Sequence, residues 1–337
     1  MTRFKNKKNM TIKHIVISGG GPTGLLSYGA AKYLEQQQFW SMENIESIYG
    51  TSIGALFGVI LSLHYDWNTI DDYIIKCPWD TILQKNSTFH DVLDVYTNKG
   101  IMSGDFFDII MKPLLLAKDL TLDVTLDELY QFNKKEIHIM TVELNTFKLV
   151  NLSYKTHPSL KVMDAIKMSC AFPILFSPKI FMETETKNED RAHKEDEEGD
   201  HRQNQEDKKG NKEECSRRVC CYIDGGVMCN YPVNVCMEDQ QCDSDEILGF
   251  RNIWDKYHET IDEESSLVDF LKICVKQMIR KLENEKSYVN IKNEVSCVGE
   301  RTEYTSWFDL CSDENKRIHY IHRGMTYGEV FLRMVKK

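Results

Sequence analysis

The chain has 337 residues, 42% of them hydrophobic and 28% charged, and its 42 Lys and Arg against 52 Asp and Glu leave a formal charge of −10. That length buries the core of one large α/β domain or two ordinary ones, and the composition excludes a small disulfide scaffold and a wholly disordered chain. The acidic balance, with no sustained Lys/Arg stripe, argues against a nucleic-acid partner, because neutralising phosphates needs a basic surface.

In chain order, the opening residues carry Arg3, Lys5, Lys7 and Lys8 but lack the apolar stretch that completes a secretory signal. A flexible basic arm over residues 1–12 of an intracellular protein, cytoplasmic or peripheral on membranes, is the expectation. His14 to Ser18 is a short apolar run ending in glycines, and Leu25 to Gln37 holds helix formers with apolar residues at helical spacing. Ile45 to Tyr49 predicts a second strand, followed by Gly50 to Gly54 and an apolar helix over Ala55 to Leu63. The best apolar run, Gly54 to Leu63, is bounded by His64 and Asp66, well short of the roughly 18 to 20 residues of a membrane span. Further on, Glu136 to Glu143 and Thr146 to Ser153 predict strands, Lys161 to Ser169 a helix and Val219 to Ile223 a strand ending at Asp224-Gly225-Gly226. Such alternation predicts a mainly parallel sheet flanked by helices, with functional loops at the carboxyl ends of the strands.

Two segments stand apart. Residues 183–217 hold 13 acidic and 8 basic side chains in 35 positions, too little apolar area to offset ordering, so a solvated, disordered insertion is expected there. Residues 238–337 are expected to be a mainly helical region packed on the same domain. Within it, Leu267 to Leu282 reads as an amphipathic helix whose apolar side is more commonly packed core than a membrane anchor. Six of the eleven cysteines lie between Cys215 and Cys242, but without a C-x-x-C knuckle or a nearby His pair, so no metal is expected.

The chemistry gathers in three glycine-rich turns. Gly19-Gly20-Gly21-Pro22-Thr23-Gly24 matches G-x-G-x-x-G, yet the second strand delivers no acidic residue at its tip for a ribose, and no Gly-Lys-Ser/Thr follows for a P-loop. Gly50-Thr51-Ser52-Ile53-Gly54 is a G-x-S-x-G between strand and helix, the setting of a nucleophile elbow. The small residues around Ser52 permit the tight turn, and the N-terminus of the next helix places positive dipole beneath the serine oxygen. A serine needs a base to take its proton. Asp224, at a strand end beside Gly225 and Gly226, suits that task if partial burial lifts its pKa.

These motifs, in this order, resemble the patatin-like phospholipase family of serine lipid acyl hydrolases. Two further stretches agree: Ser169 to Pro178 with the family's S-x-x-x-P-x-x-F-x-P block, and Asn230-Tyr231-Pro232 with its N-x-P. The resemblance covers roughly residues 14–237 and implies a patatin-like variant of the α/β-hydrolase architecture. It also implies a Ser52/Asp224 dyad, an acyl-enzyme, and an oxyanion hole built from Gly19, Gly20, Gly21 and Ile53, with Gly24, Gly50, Gly54, Gly225 and Gly226 shaping the turns. No cofactor is implied. The implied partners are a phospholipid or other lipid ester and a peripheral membrane surface. The chain departs from the family at Thr23, where a basic residue is usual. His258, His319 or His322 could complete a triad in a short-chain carboxylesterase, and a catalytically weak lipid-binding protein is the other alternative.

Overall fold

The computed structural model describes residues 11–86, 96–185, 216–254, 260–284, 286–299 and 310–336. The basic arm therefore falls almost wholly outside the described residues. Strands and helices alternate as β1 (His14–Ile17), α1 (Gly24–Gln36), β2 (Ser47–Thr51), α2 (Ile53–Ser62), α3 (Trp67–Lys76) and α4 (Trp79–Asn86). There follow β3 (Gly100–Met102), α5 (Asp105–Leu116), α6 (Leu126–Asn133), β4 (Glu136–Glu143), β5 (Lys148–Leu152), α7 (Val162–Cys170) and β6 (Ile174–Phe176). The last part holds β7 (Lys179–Glu185), β8 (Ser216–Asp224), α8 (Val233–Gln240), β9 (Ile247–Trp254), α9 (Leu267–Asn284), β10 (Asn293–Gly299) and α10 (Glu314–Val335).

The principal sheet runs β10-β9-β1-β2-β4-β8-β7, with β5 on the other edge of β4. Its first five strands are parallel, and β8 and β5 run antiparallel to β4. The expected α/β architecture with a mainly parallel sheet between helices is what the chain adopts. β1 and β2 are buried at every position, which is why neither alternates apolar with solvent-facing polar residues.

The limits of the charged segment differ from expectation. Strands β7 and β8 pair as an antiparallel hairpin that includes Glu183 to Glu185 and Ser216 and Arg217, so the ordered ladder reaches into both ends of the charged segment. Backbone pairing needs no apolar side chain, so composition alone placed these limits too early; residues 186–215 lie outside the described residues. The region after residue 237, expected to be mainly helical, also supplies β9 and β10, and β9 lies directly beside β1.

Helix α10 crosses α1 at close range. A Cβ built on Gly29 would lie 2.1 Å from the Ile321 carbonyl oxygen, and one on Gly324 would lie 2.2 Å from that of Leu26. Alanine at a helical glycine normally gains about 1 kcal/mol in propensity, but an overlap with rigid backbone outweighs that. Gly29→Ala is expected to lower stability by about 2 to 4 kcal/mol, read as a fall in Tm of about 3 to 6 °C. A Tm that rises would show that the two helices part without cost.

Candidate active site

The site is built where three strands meet. Along one edge of β4, β2 occupies the first half, ending with Thr51 opposite Met140. On the same edge β8 runs the opposite way and ends with Asp224 opposite Thr141. Two carboxyl ends therefore arrive head to head at adjacent positions of β4, which brings Ser52 and Asp224 together from 172 positions apart in a 337-residue chain.

Ser52 caps α2 with φ 54° and ψ −126°, a left-handed conformation that costs a non-glycine residue about 1 to 3 kcal/mol. The turn holds because its neighbours leave no alternative. A Cβ on Gly54 would lie 2.4 Å from the Ile17 carbonyl oxygen, and one on Gly50 would lie 2.5 Å from that of Gly54. From α7, the Ser169 hydroxyl donates to the Met140 carbonyl at 2.6 Å and accepts the Ser52 N–H at 2.8 Å. Thr51 is tied by its hydroxyl to the Cys229 carbonyl at 2.8 Å. The elbow is thus fixed from β4, α7 and the turn after β8 at once.

Asp224 is buried, with 2% of its surface exposed. Its Oδ1 accepts the Gly226 N–H at 2.7 Å, and the Ser52 side chain is close enough to favour the carboxylate. Burial pushes its pKa up to about 6, and those two neighbours only partly oppose the rise. Glu143, another buried carboxylate on β4, shows the contrast. Burial would raise it too, but donors from Thr146, Cys221 and Asn145, with Arg218 at 2.9 Å, hold it down at about 2. One carboxylate is saturated with donors and fixed as an anion; the other is left poised near neutrality, as a general base requires.

The glycine-rich loop lies beside Ser52. The Gly19 N–H donates to the Asn230 carbonyl at 2.9 Å, so it is already engaged. What Gly19 contributes is room: a Cβ there would lie 3.3 Å from the Ser52 Cβ and 2.5 Å from Asn230 Oδ1. The N–H groups of Gly20 and Gly21, and that of Ile53, have no partner among the described residues. Gly20 and Gly21 take φ 155° and 55°, conformations suited to glycine. Thr23, where the family usually has a cation, is fully buried and donates through Oγ1 to the Gly20 carbonyl at 2.8 Å, so it braces the loop from within. Gly24 packs α1 onto α2, and Gly225 backs against the Met140 carbonyl.

Two contributors escaped the sequence reading. Asn252 of β9 is buried, takes the Ser18 hydroxyl on its backbone N–H at 2.7 Å, and donates through Nδ2 to the Gly19 carbonyl at 3.2 Å. Its one sequence signal is an amide, next to Arg251, in a mostly apolar run. Cys170, also buried, lies close to Ser52 and Asp224: burial holds its thiol far above its usual pKa, with the Asp224 charge adding to the rise. The histidines go elsewhere: His319 and His322 are exposed on α10, and His258 lies outside the described residues. The cysteines of residues 220–242 spread over β8, the following turn and α8, and among the described residues no group of three side chains could hold a metal.

An apolar pocket opens at the same loop. Gly21 and Ile53 line it, together with Leu56, Phe57, Tyr73, Trp79, Phe106 and Ile110 from α2 to α5. Its one cationic neighbour, Arg317, is turned to the carbonyls of Ile75, Leu310 and Cys311.

A family model described as patatin-like phospholipase matches residues 15–237. A probable lipid hydrolase of Invertebrate iridescent virus 6 is 21% identical over 255 residues, covering 74% of this chain and 73% of that protein. An uncharacterized protein of Acanthamoeba polyphaga mimivirus is 22% identical over 170 residues, 50% of this chain and 55% of its own, so this chain spans little more than half the length of that relative. Among solved structures, VipD from Legionella pneumophila is similar with a TM-score of 0.49 at 15% identity, covering 96% of this chain and 67% of that one. The family match extends over more than half of the chain and takes in both Ser52 and Asp224, and the chain belongs to the patatin-like phospholipase family.

Proposed function

We propose that this protein is a lipid acyl hydrolase in which Ser52 is the nucleophile and Asp224 its base. Asp224 takes the Ser52 proton as the serine oxygen attacks the ester carbonyl. The developing oxyanion is met by the N–H groups of Gly20, Gly21 and Ile53, preorganised donors of the kind that contribute most to acyl transfer. The alcohol leaves with the proton returned from Asp224, and water, deprotonated by the same carboxylate, releases the acyl group. The observation that carries this reading is the pairing of a strained serine with a buried carboxylate that has too few donors to be a settled anion. The viral relative described as a probable lipid hydrolase supports the substrate class.

The apolar pocket supports a long acyl chain, since it begins at the proposed oxyanion loop and is walled by hydrocarbon. p-Nitrophenyl esters of increasing chain length test this. The wild type is expected to favour long chains, and Ile110→Trp, which fills the far wall, is expected to shift the optimum to shorter ones with about a tenfold loss on the longest. An unchanged chain-length profile would place the acyl chain elsewhere. Hydrolysis confined to the shortest esters in the wild type would favour a carboxylesterase.

A further inference from the structure

A second cavity lies at the far end of α2 from Ser52. It measures about 410 Å³, within the range of small-molecule sites, and none of the three glycine-rich turns lines it. Helix α2 has 10 residues, so about 15 Å separates its Ser52 end from the Leu61 end that lines this cavity. Ile60 and Ile70 line both this cavity and the apolar pocket, so the two are neighbours with a shared wall.

Its lining is aromatic and acidic. Tyr28, Trp40, Tyr65 and Trp67 contribute rings, and Tyr28 meets Trp67 with centroids 5.4 Å apart and planes at 65°. Glu35 and Asp66 add two carboxylates. Asp66 is engaged at the start of α3, where it accepts the Thr69 N–H at 3.0 Å and the Thr69 hydroxyl at 2.6 Å and offsets the positive end of that helix. Glu35 is half free: Oε2 accepts the Trp67 indole N–H at 2.6 Å, while Oε1 has no partner among the described residues. Helices α1 and α2 both end beside the cavity, and the carboxyl ends of helices carry negative partial charge. A cation of the chain itself already sits against one of these rings. The Lys118 ammonium lies 4.2 Å from the centre of the Tyr65 ring and donates to the His64 carbonyl at 3.5 Å, and it does not line the cavity. Lys32, on α1, is paired with Asp71.

The chemistry of this lining selects the occupant. Among the described residues no three side chains could hold a metal ion. A primary ammonium brings three N–H donors to satisfy, and the side chains here offer one carboxylate oxygen that is not already engaged. A quaternary ammonium has no donor to satisfy: its methyl groups suit apolar walls, and its diffuse charge is attracted by aromatic rings and by a nearby carboxylate. Two carboxylates in the same lining repel a phosphate on the same ligand. We infer that this cavity binds a small quaternary ammonium solute without a phosphate, walled by Tyr28, Trp40, Tyr65 and Trp67, with Glu35 as its counter-charge. The inference is independent of the reading of Ser52 and Asp224, so either can fail without the other.

Calorimetric titration of the full chain with choline tests it, against phosphocholine and against the uncharged analogue in which carbon replaces the nitrogen. Choline is expected to bind saturably, and both comparators at least about tenfold more weakly. Trp67→Leu is expected to weaken choline at least about tenfold, and Glu35→Gln about fivefold. Glu35→Gln keeps an acceptor for the Trp67 indole and should melt as the wild type does, so it decides the matter if Trp67→Leu fails to fold. Ile110→Trp, in the neighbouring apolar pocket, should bind choline normally. No saturable binding by the wild type, equal or tighter binding of either comparator, or unchanged choline binding in Glu35→Gln would overturn the inference. So would loss of choline binding in Ile110→Trp alone, which would place the ligand in the apolar pocket.

Discussion

Ser52→Ala is expected to reduce ester hydrolysis by about 10³-fold or more, with the residual rate coming from the oxyanion donors and substrate binding alone. The fold should not suffer. Ser52 sits in a left-handed conformation at the mouth of the site, so Ser52→Gly, equally inactive, is expected to gain about 1 kcal/mol from released backbone strain. Adding Asp224→Asn to Ser52→Ala should cost little further activity, because the two groups act as one unit. A double variant far slower than either single would mean that they act independently.

Asp224→Asn has an effect of comparable size on activity and an opposite one on stability. With the carboxyl raised to about 6, kcat/KM should fall about tenfold per pH unit below that value, since only the carboxylate accepts the serine proton. The folded state holds this proton more tightly than the unfolded chain, so burying Asp224 costs nothing in strong acid. The cost accumulates as pH rises from about 4 to about 6, and stays constant above, at about 3 kcal/mol for a shift of about two units. Asp224→Asn should therefore match the wild type in Tm near pH 4 and exceed it at pH 8. A variant less stable at both values would show that the ionised carboxylate is a structural anchor, as Glu143 is.

The sequence carried the local part of this site and missed the long-range part. Ser52 and Asp224 were legible because each lies in a glycine-flanked turn whose spacing is dictated by contacts within a few residues. The engagement of the Gly19 N–H was not, since it is taken by a carbonyl more than 200 positions away, at Asn230. Asn252 was hidden for the same reason: its partners, Ser18 and Gly19, are brought to it only by the pairing of β9 with β1. Strand β9 itself was obscured because the apolar run from Ile247 to Trp254 is broken by Arg251 and Asn252, the latter in fact buried to brace the glycine loop. In α9 the apolar spacing was legible, but periodicity does not state which way a stripe faces, and Leu267 and Met278 are exposed.

The most direct measurement is the site and pH dependence of covalent capture by a long-chain alkyl fluorophosphonate, read by mass spectrometry of the labelled peptides. The adduct is expected on Ser52, with a labelling rate that rises with pH through a midpoint near 6, is undiminished by His319→Gln and His322→Gln, and collapses in Asp224→Asn. An adduct on another residue, or labelling of Ser52 that persists in Asp224→Asn and vanishes with a histidine variant, would contradict the dyad.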